Sequence, residues 1–413
     1  MVTLEEIKEA RERIRDRIYE SPLAKSEFFS NHCGCKAFFK LENLQITGSF
    51  KERGALNKIL TLSNAERESG IITASAGNHA QAVAYHAHRL GIDNTVVMPK
   101  RTPLIKVQNT RNFGGNVVLE GDNFDAAYQH AKTLEAERGL TFVHPFDDDA
   151  VIAGQGSIAL ELMEQQPDLE VIIVPIGGGG VIAGIATAYK ALRPEVHIVG
   201  VETTQLPSMR QSVEAGERLS LPPAHTIADG IAVKRPGERT LEIVRRCVDE
   251  IVLVDEEEIA NAILLLLERE KTVAEGAGAT PLAALYNGHI EAARGKNTAM
   301  VLCGGNIDVN LLSRIIERGL IKDGRLIRLQ ITVPDRPGAL AGILGEVARA
   351  EANVLEIHHH RAFSDLGLGE VDIELRLETR GEDHAREIIE QLSGTGCVVH
   401  ANVVPAASRR FGG

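Results

Sequence analysis

From Gly70 to about Val254 short apolar runs alternate with stretches of helical period, and that alternation admits few architectures. Repeated strand-helix units of this kind stack into a parallel sheet covered by helices, an α/β fold. Strands are expected over 94–98 (NTVVM), 116–119 (NVVL), 171–176 (VIIVPI) and 197–201 (HIVGV). Between them Ala80, Val83, Ala84 and Ala87 recur at helical spacing, as do Ile182, Ile185, Ala186 and Tyr189.

Beyond Leu320 the character changes. Lys322-Asp323-Gly324 reads as a turn, and residues 325 to 405 read strand, helix, strand, strand, helix, strand, a ferredoxin-like order. The expected strands are 328–333, 353–357, 370–377 and 397–402, and the helices fall at about 338–350 and 382–392. The predicted organisation is therefore a domain over 1–322, with a smaller subdomain at about 50–150, a second domain over 325–405, and a frayed tail over 406–413.

A chain of 413 residues with 44% hydrophobic and 25% charged residues has the composition of a globular protein. Its formal net charge of -12, without any long Lys/Arg run, argues against a general nucleic-acid partner. The longest apolar run, Ala262 to Leu267, is too short to cross a bilayer, and the first residues (VTLEEIKEARERIRDRI) form a charged amphipathic helix rather than a leader. Five cysteines do not make a disulfide framework, so the cytoplasm is the expected compartment.

Three segments carry chemistry. In TGSFKERG, Lys51 heads a helical pattern whose residues one turn away, Thr47, Gly48, Gly54 and Ala55, are small and include no carboxylate to pair with it. Gly177-Gly178-Gly179-Gly180 follows a strand and opens a helix, so its backbone N–H groups can converge on a phosphate. Ser75-Ala76-Gly77-Asn78-His79 does the same after Ile71-Ile72-Thr73, as a second anion cup sized for a carboxylate. A dinucleotide site is a rival reading, because Gly178, Gly180 and Ala183 satisfy G-x-G-x-x-A and Glu202 ends the next strand about twenty residues on. The Walker phosphate loop fails, since no Lys-Ser or Lys-Thr follows the glycines.

Taken together and in order, TGSFKERG, Lys40-Leu41-Glu42-Asn43-Leu44-Gln45, SAGNHAQ, Ala153-Gly154-Gln155-Gly156, the tetraglycine and Leu302-Cys303-Gly304-Gly305-Asn306 resemble the threonine/serine dehydratases, fold-type II enzymes of pyridoxal phosphate. The likeness runs over about residues 5 to 320, and the remainder resembles one ACT domain, an amino-acid-sensing module. The resemblance implies a two-subdomain parallel-sheet core like that of the tryptophan synthase β chain. It also implies that Lys51 joins the cofactor aldehyde as an imine, which would explain its small, acid-free surroundings. Gly177 through Gly180 would hold the cofactor phosphate, Asn78 its ring hydroxyl, Phe50 its ring face, and Cys303 would stand at the pyridine nitrogen. Ser75, Ala76, Gly77, Asn78 and His79 would clasp the substrate carboxylate. A neutral partner at the ring nitrogen weakens the ring as an electron sink and favours elimination over transamination or racemisation.

The implied reaction is deamination of L-threonine to 2-oxobutanoate, with L-serine giving pyruvate by the same path. Related serine racemases need an acid/base in the residue after Ser75, where Ala76 stands here. They also bind a divalent cation through a set of which only Glu202 is present, Leu206 and Ser208 occupying the other places, so no metal site is assigned and a cation requirement stays open. His358-His359-His360 has no partner at ligand spacing, and Cys33-Gly34-Cys35 lacks a second pair. Asp147-Asp148-Asp149 reads as a solvated loop. Asp335-Arg336-Pro337-Gly338 joins a strand to a helix where ACT modules commonly bind amino acids, and isoleucine or valine is the expected effector, since 2-oxobutanoate feeds isoleucine synthesis. Relatives are commonly homodimers or homotetramers. A nicotinamide oxidoreductase and a catalytically dead amino-acid sensor remain as competing classes, and the setting of Lys51 speaks against both.

Overall fold

The computed structural model describes residues 1–361, 367 and 369–401. It divides into two compact units, Met1–Ile307 and Asp308–Gly413. Helix Val309–Lys322, counted with the first domain in the sequence, therefore groups with the second.

In the first unit the strands are β1 (Leu23–Ser26), β2 (Lys36–Leu41), β3 (Ile71–Ala74), β4 (Asn94–Met98), β5 (Asn116–Leu119), β6 (Thr141–Phe142), β7 (Val171–Pro175), β8 (His197–Thr203), β9 (Glu250–Val254) and β10 (Asn297–Leu302). They form two sheets. One runs β5-β4-β3-β6 and is parallel throughout. The other runs β1-β2-β10-β7-β8-β9, parallel except for the antiparallel edge strand β1. Every residue of β4, β7 and β10 is buried, which is why these strands read as continuous apolar runs rather than alternating ones. Each such Val, Ile or Leu contributes about 1.5–3 kcal/mol through burial.

The opening segment is a helix, Leu4–Ile14, started by a reciprocal Thr3–Glu6 capping box, and it buries Ile7, Ala10 and Ile14 along one stripe. The loops after β3 and β7 both lead straight into helices, Asn78–Arg89 and Gly180–Leu192, so two helix N-termini are set at strand ends.

The second unit holds β11 (Leu326–Pro334), β12 (Asn353–His360), β13 (Glu370–Glu378) and β14 (Val398–Ala401), in the antiparallel order β12-β13-β11-β14. Helices Ala339–Arg349 and Glu382–Gly394 pack against a core that includes Leu329, Ile331, Ile343, Ile373 and Ile388. This is the ferredoxin-like order expected from the sequence. On β12 the rings of His358 and His360 stack at 6.0 Å, so strand alternation places them together, as expected. Among the described residues no cluster of three or more His, Cys, Asp or Glu side chains could hold a metal ion, and no helix is long and apolar enough to cross a membrane.

Candidate active site

Lys51 is the first residue of helix Lys51–Thr61. Its place is fixed by the segment before it, which lies along the end of β10: Phe50 N–H donates to the Cys303 carbonyl (3.0 Å), Gly305 N–H donates to the Gly48 carbonyl (2.9 Å), and Ser49 bridges Gly304. Gly48 sits at φ 74, and a Cβ there would come within 2.5 Å of the Asn306 side chain, so both conformation and space demand glycine. Immediately after Lys51, Glu52 and Arg53 turn inward and are buried. Glu52 accepts the Thr47 N–H, and Arg53 directs all five of its N–H donors into Glu42, Glu161 and Ser157. Lys40 joins that cluster through Glu161 at 2.6 Å.

The Lys51 Nζ donates to the Pro145 carbonyl at 2.9 Å and lies 5.0 Å from the centre of the Phe50 ring. Burial lowers its pKa to about 8, against the opposing pull of Cys303 and Glu275. About a tenth of the amine is therefore unprotonated at pH 7, far more than for an ordinary lysine, as a nucleophile requires.

The tetraglycine lies between β7 and helix Gly180–Leu192, with Gly179 at φ 92. Its glycines are dictated by packing as well as by a ligand. A Cβ on Gly178 would stand 2.3 Å from the Phe146 ring, and one on Gly179 would stand 2.6 Å from Met209 and 2.8 Å from Thr240. The Gly178 carbonyl accepts from Thr240 Oγ1 (2.6 Å) and Gly237 N–H (3.3 Å), which braces the loop. Among the described residues no protein group accepts a hydrogen bond from the N–H groups of Gly177, Gly178 and Gly179.

Asp147 accepts the N–H groups of Glu238, Arg239 and Thr240, starting the helix that braces this loop. Asp148 caps helix Asp149–Gln165 and pairs with Lys58 at 2.7 Å. The reading of Asp147 to Asp149 as a solvated loop is thereby corrected.

In the second cup Ser75 Oγ accepts the Gly77 N–H at 3.3 Å, and the first-turn amides of helix Asn78–Arg89 have no side-chain cap. The His79 ring turns away, with Nε2 against the Val143 carbonyl at 3.0 Å, and burial lowers its pKa to about 3. His79 can therefore serve the cup only through its backbone. Asn78 points its Nδ2 at Glu275 Oε1 (2.7 Å), while its Oδ1 accepts from Asn306 Nδ2 (2.8 Å). Cys303 is 2% exposed, and burial, helped by Glu275, raises its thiol pKa far enough to keep it neutral.

Glu202 accepts the Met209 and Arg210 N–H groups, both at 2.8 Å, so its two oxygens hold the start of helix Ser208–Ala215. Burial pushes its pKa up to about 7, opposed by those two donors. The carboxylate that would have read a dinucleotide ribose is thus already engaged. Sequence reasoning assigned no role to Asn306, Thr240 or Glu275. Glu275 could have been noticed as the lone acid ahead of the small-residue run Gly276-Ala277-Gly278-Ala279.

Unpaired loop amides at a helix start, a buried low-pKa amine and a neutral thiol make a donor set suited to a phosphorylated aldehyde. Ser49 Oγ and Thr47 Oγ1 are buried without hydrogen-bond partners among the described residues. The family description "Pyridoxal-phosphate dependent enzyme" matches residues 14–304, and "ACT domain" matches 327–394. The chain belongs to the pyridoxal-phosphate dependent enzymes. Over 396 residues it is 50% identical to the L-threonine ammonia-lyase of Thermotoga maritima, covering 96% of this chain and 98% of that one. Threonine deaminase isoform 2 of Solanum lycopersicum, in its processed form, superposes with a TM-score of 0.73 at 39% identity, over 76% of this chain and 86% of that one. Maize serine racemase superposes with a TM-score of 0.73 at 35% identity, over 77% and 98%. This pyridoxal-phosphate dependent enzyme thus has the fold-type II core and the C-terminal ACT domain expected from its motifs, and the nicotinamide reading falls.

Proposed function

We propose that this chain is an L-threonine ammonia-lyase, converting L-threonine to 2-oxobutanoate and ammonia, and L-serine to pyruvate by the same path. The observation that carries the reading is Lys51: a buried amine with a pKa near 8, no paired carboxylate among the described residues, and the tetraglycine amides and Cys303 in the same unit. The near-full-length likeness to an L-threonine ammonia-lyase supports the choice of substrate.

Pyridoxal phosphate, when bound, holds the substrate amine and accepts the electron pair left on Cα. The residues of this chain do the rest. Gly177 to Gly180 would hold the phosphate through backbone N–H groups, Asn78 would hold the ring hydroxyl, and Phe50 would pack against the ring. The amides of Ser75 to His79 orient the substrate carboxylate. The Lys51 amine, in its unprotonated form, would take up the Cα proton. Ala76 offers no second proton donor, so the proton cannot be returned on the opposite face, which favours the lyase over the racemase outcome. Cys303, held neutral by burial, leaves the ring nitrogen without a charged partner.

Regulation is assigned to the ACT domain. The turn Asp335-Arg336-Pro337-Gly338 is exposed, with Asp335 bonded to Arg361 at 3.1 Å and Gly338 at φ 90 opening helix Ala339–Arg349. It is offered as the seat of a branched-chain amino acid, with the enzyme working as a cytoplasmic homodimer or homotetramer.

Lys51→Ala should abolish ammonia release from L-threonine and the visible band of the bound cofactor, and no cofactor adduct should be found on the chain after borohydride reduction and mass spectrometry. Retention of turnover would sink the assignment. For the effector turn, Arg336→Ala should remove any calorimetric binding of isoleucine or valine while leaving basal turnover in place. Unaltered binding would move the effector elsewhere.

A further inference from the structure

Glu275 is a buried carboxylate that the reaction described above does not use. It occupies the position before helix Gly276–Tyr286 but makes no capping bond to that helix. Instead the side chain, in a residue only 4% exposed, reaches Asn78, 197 positions earlier in the chain.

The surrounding backbone is shaped to let it through. A Cβ on Gly304 would stand 2.5 Å from Glu275 Oε1 and 3.1 Å from Asn78 Nδ2, and a Cβ on Gly230 would stand 3.2 Å from the same oxygen. Two glycines on separate loops thus leave room for one contact. The charged and titratable groups acting on this carboxyl are Asp229, Lys106, Lys51 and Cys303, with burial pushing its pKa up to about 7.

An asparagine amide has a donor end and an acceptor end of nearly identical shape, so its neighbours must decide which way it points. Here Oε1 of Glu275 serves as the acceptor, so Asn78 presents Nδ2 to it at 2.7 Å. Its Oδ1 then faces Asn306, whose Nδ2 donates both to that oxygen (2.8 Å) and to the Thr47 carbonyl (2.7 Å). The chain of orientation runs Glu275, Asn78, Asn306, Thr47, and ends four residues before Lys51.

We propose that Glu275 is a positioning residue that fixes the side-chain amide of Asn78, keeping the second Nδ2 hydrogen available to the ring hydroxyl of pyridoxal phosphate. The inference rests on the reading of Asn78 as the partner of that hydroxyl. It predicts that what matters at position 275 is an acceptor of the right reach rather than a negative charge.

Two conservative substitutions separate these. Glu275→Asp keeps the charge but withdraws the acceptor by one methylene, and Glu275→Gln keeps reach and acceptor without the charge. The apo-protein is titrated with pyridoxal phosphate by absorbance, and its melting temperature is measured in parallel. Glu275→Asp should bind the cofactor about tenfold more weakly, and Glu275→Gln should stay within about threefold of the parent. Glu275→Asp combined with Asn78→Ala should be no weaker than Asn78→Ala alone, because both remove the same contact. The reverse order of the two single variants, or additive losses in the double variant, would overturn the proposal. If Asn78→Ala itself binds the cofactor normally, the Asn78 reading fails and takes this inference with it. A loss in Asn78→Ala without one in Glu275→Asp sinks the inference alone.

Discussion

Replacing Arg53 by methionine tests how the helix bearing Lys51 is held. The Arg53 guanidinium is 1% exposed and donates five hydrogen bonds of 2.5–3.1 Å, to Glu42, Glu161 and Ser157. With Lys40 on Glu161 at 2.6 Å, the buried cluster holds two cations and two carboxylates and is neutral as a whole. Methionine fills much of the side-chain volume, so the main loss is electrostatic: one of the two buried carboxylates is left without a counter-ion. Removing one partner of a buried ion pair costs about 3–5 kcal/mol. At roughly 2 °C per kcal/mol for a unit of this size, the melting temperature should fall by about 6–10 °C.

The deficit should also depend on pH in a definite direction. Burial pushes the Glu42 carboxyl up, but the Arg53 charge and hydrogen bonds, with Lys40 and Ser21, bring it below its ordinary value. In the parent, the stability that Glu42 contributes is present above the ordinary carboxylate range and is lost as pH falls through its depressed value. In the variant the unpaired carboxylate is raised instead, and taking up a proton relieves it. The gap between parent and variant should therefore be widest at pH 8 and narrow toward pH 5, read by thermal melts of both proteins across that range. A loss below 1 kcal/mol, or a gap that does not change with pH, would refute the reasoning.

Gly178→Ala places a methyl 2.3 Å from the Phe146 ring, so the loop or the ring must move, and cofactor affinity should drop by about tenfold or more in a titration of the apo-protein. Covalent capture of the cofactor aldehyde by the Lys51 amine should slow about tenfold per pH unit below pH 8, following the unprotonated fraction, when followed by stopped-flow absorbance.

Much of the fold could be read from the chain because buried parallel strands declare themselves: β4 and β5 begin and end where their apolar runs do, and β7 ends one residue short of the expected boundary. Sheet order could not be read. Nothing local says that β10, near residue 300, lies between β2 and β7. The same limit governs the site. Lys51 and the tetraglycine were visible because their chemistry is written in neighbouring residues. The carboxylate partners of Arg53 lie 11 and 108 positions away, and Asn78 meets Glu275 across 197. Lys40, Glu42 and Arg53 look like surface residues in the sequence, and only tertiary pairing makes their burial tolerable. Asp147 was misread for a similar reason, since the helix it starts begins 91 positions later.

A phosphate seat built from main-chain amides has an uneven tolerance to change. There is no side chain on Gly177 to Gly180 to lose, so truncation cannot damage it, and every substitution open to a mutating codon adds atoms where Ile231, Phe146, Met209 and Thr240 already press. Saturation mutagenesis over these four positions should leave an almost unbroken row of inactive variants, beside flanking positions that accept many residues.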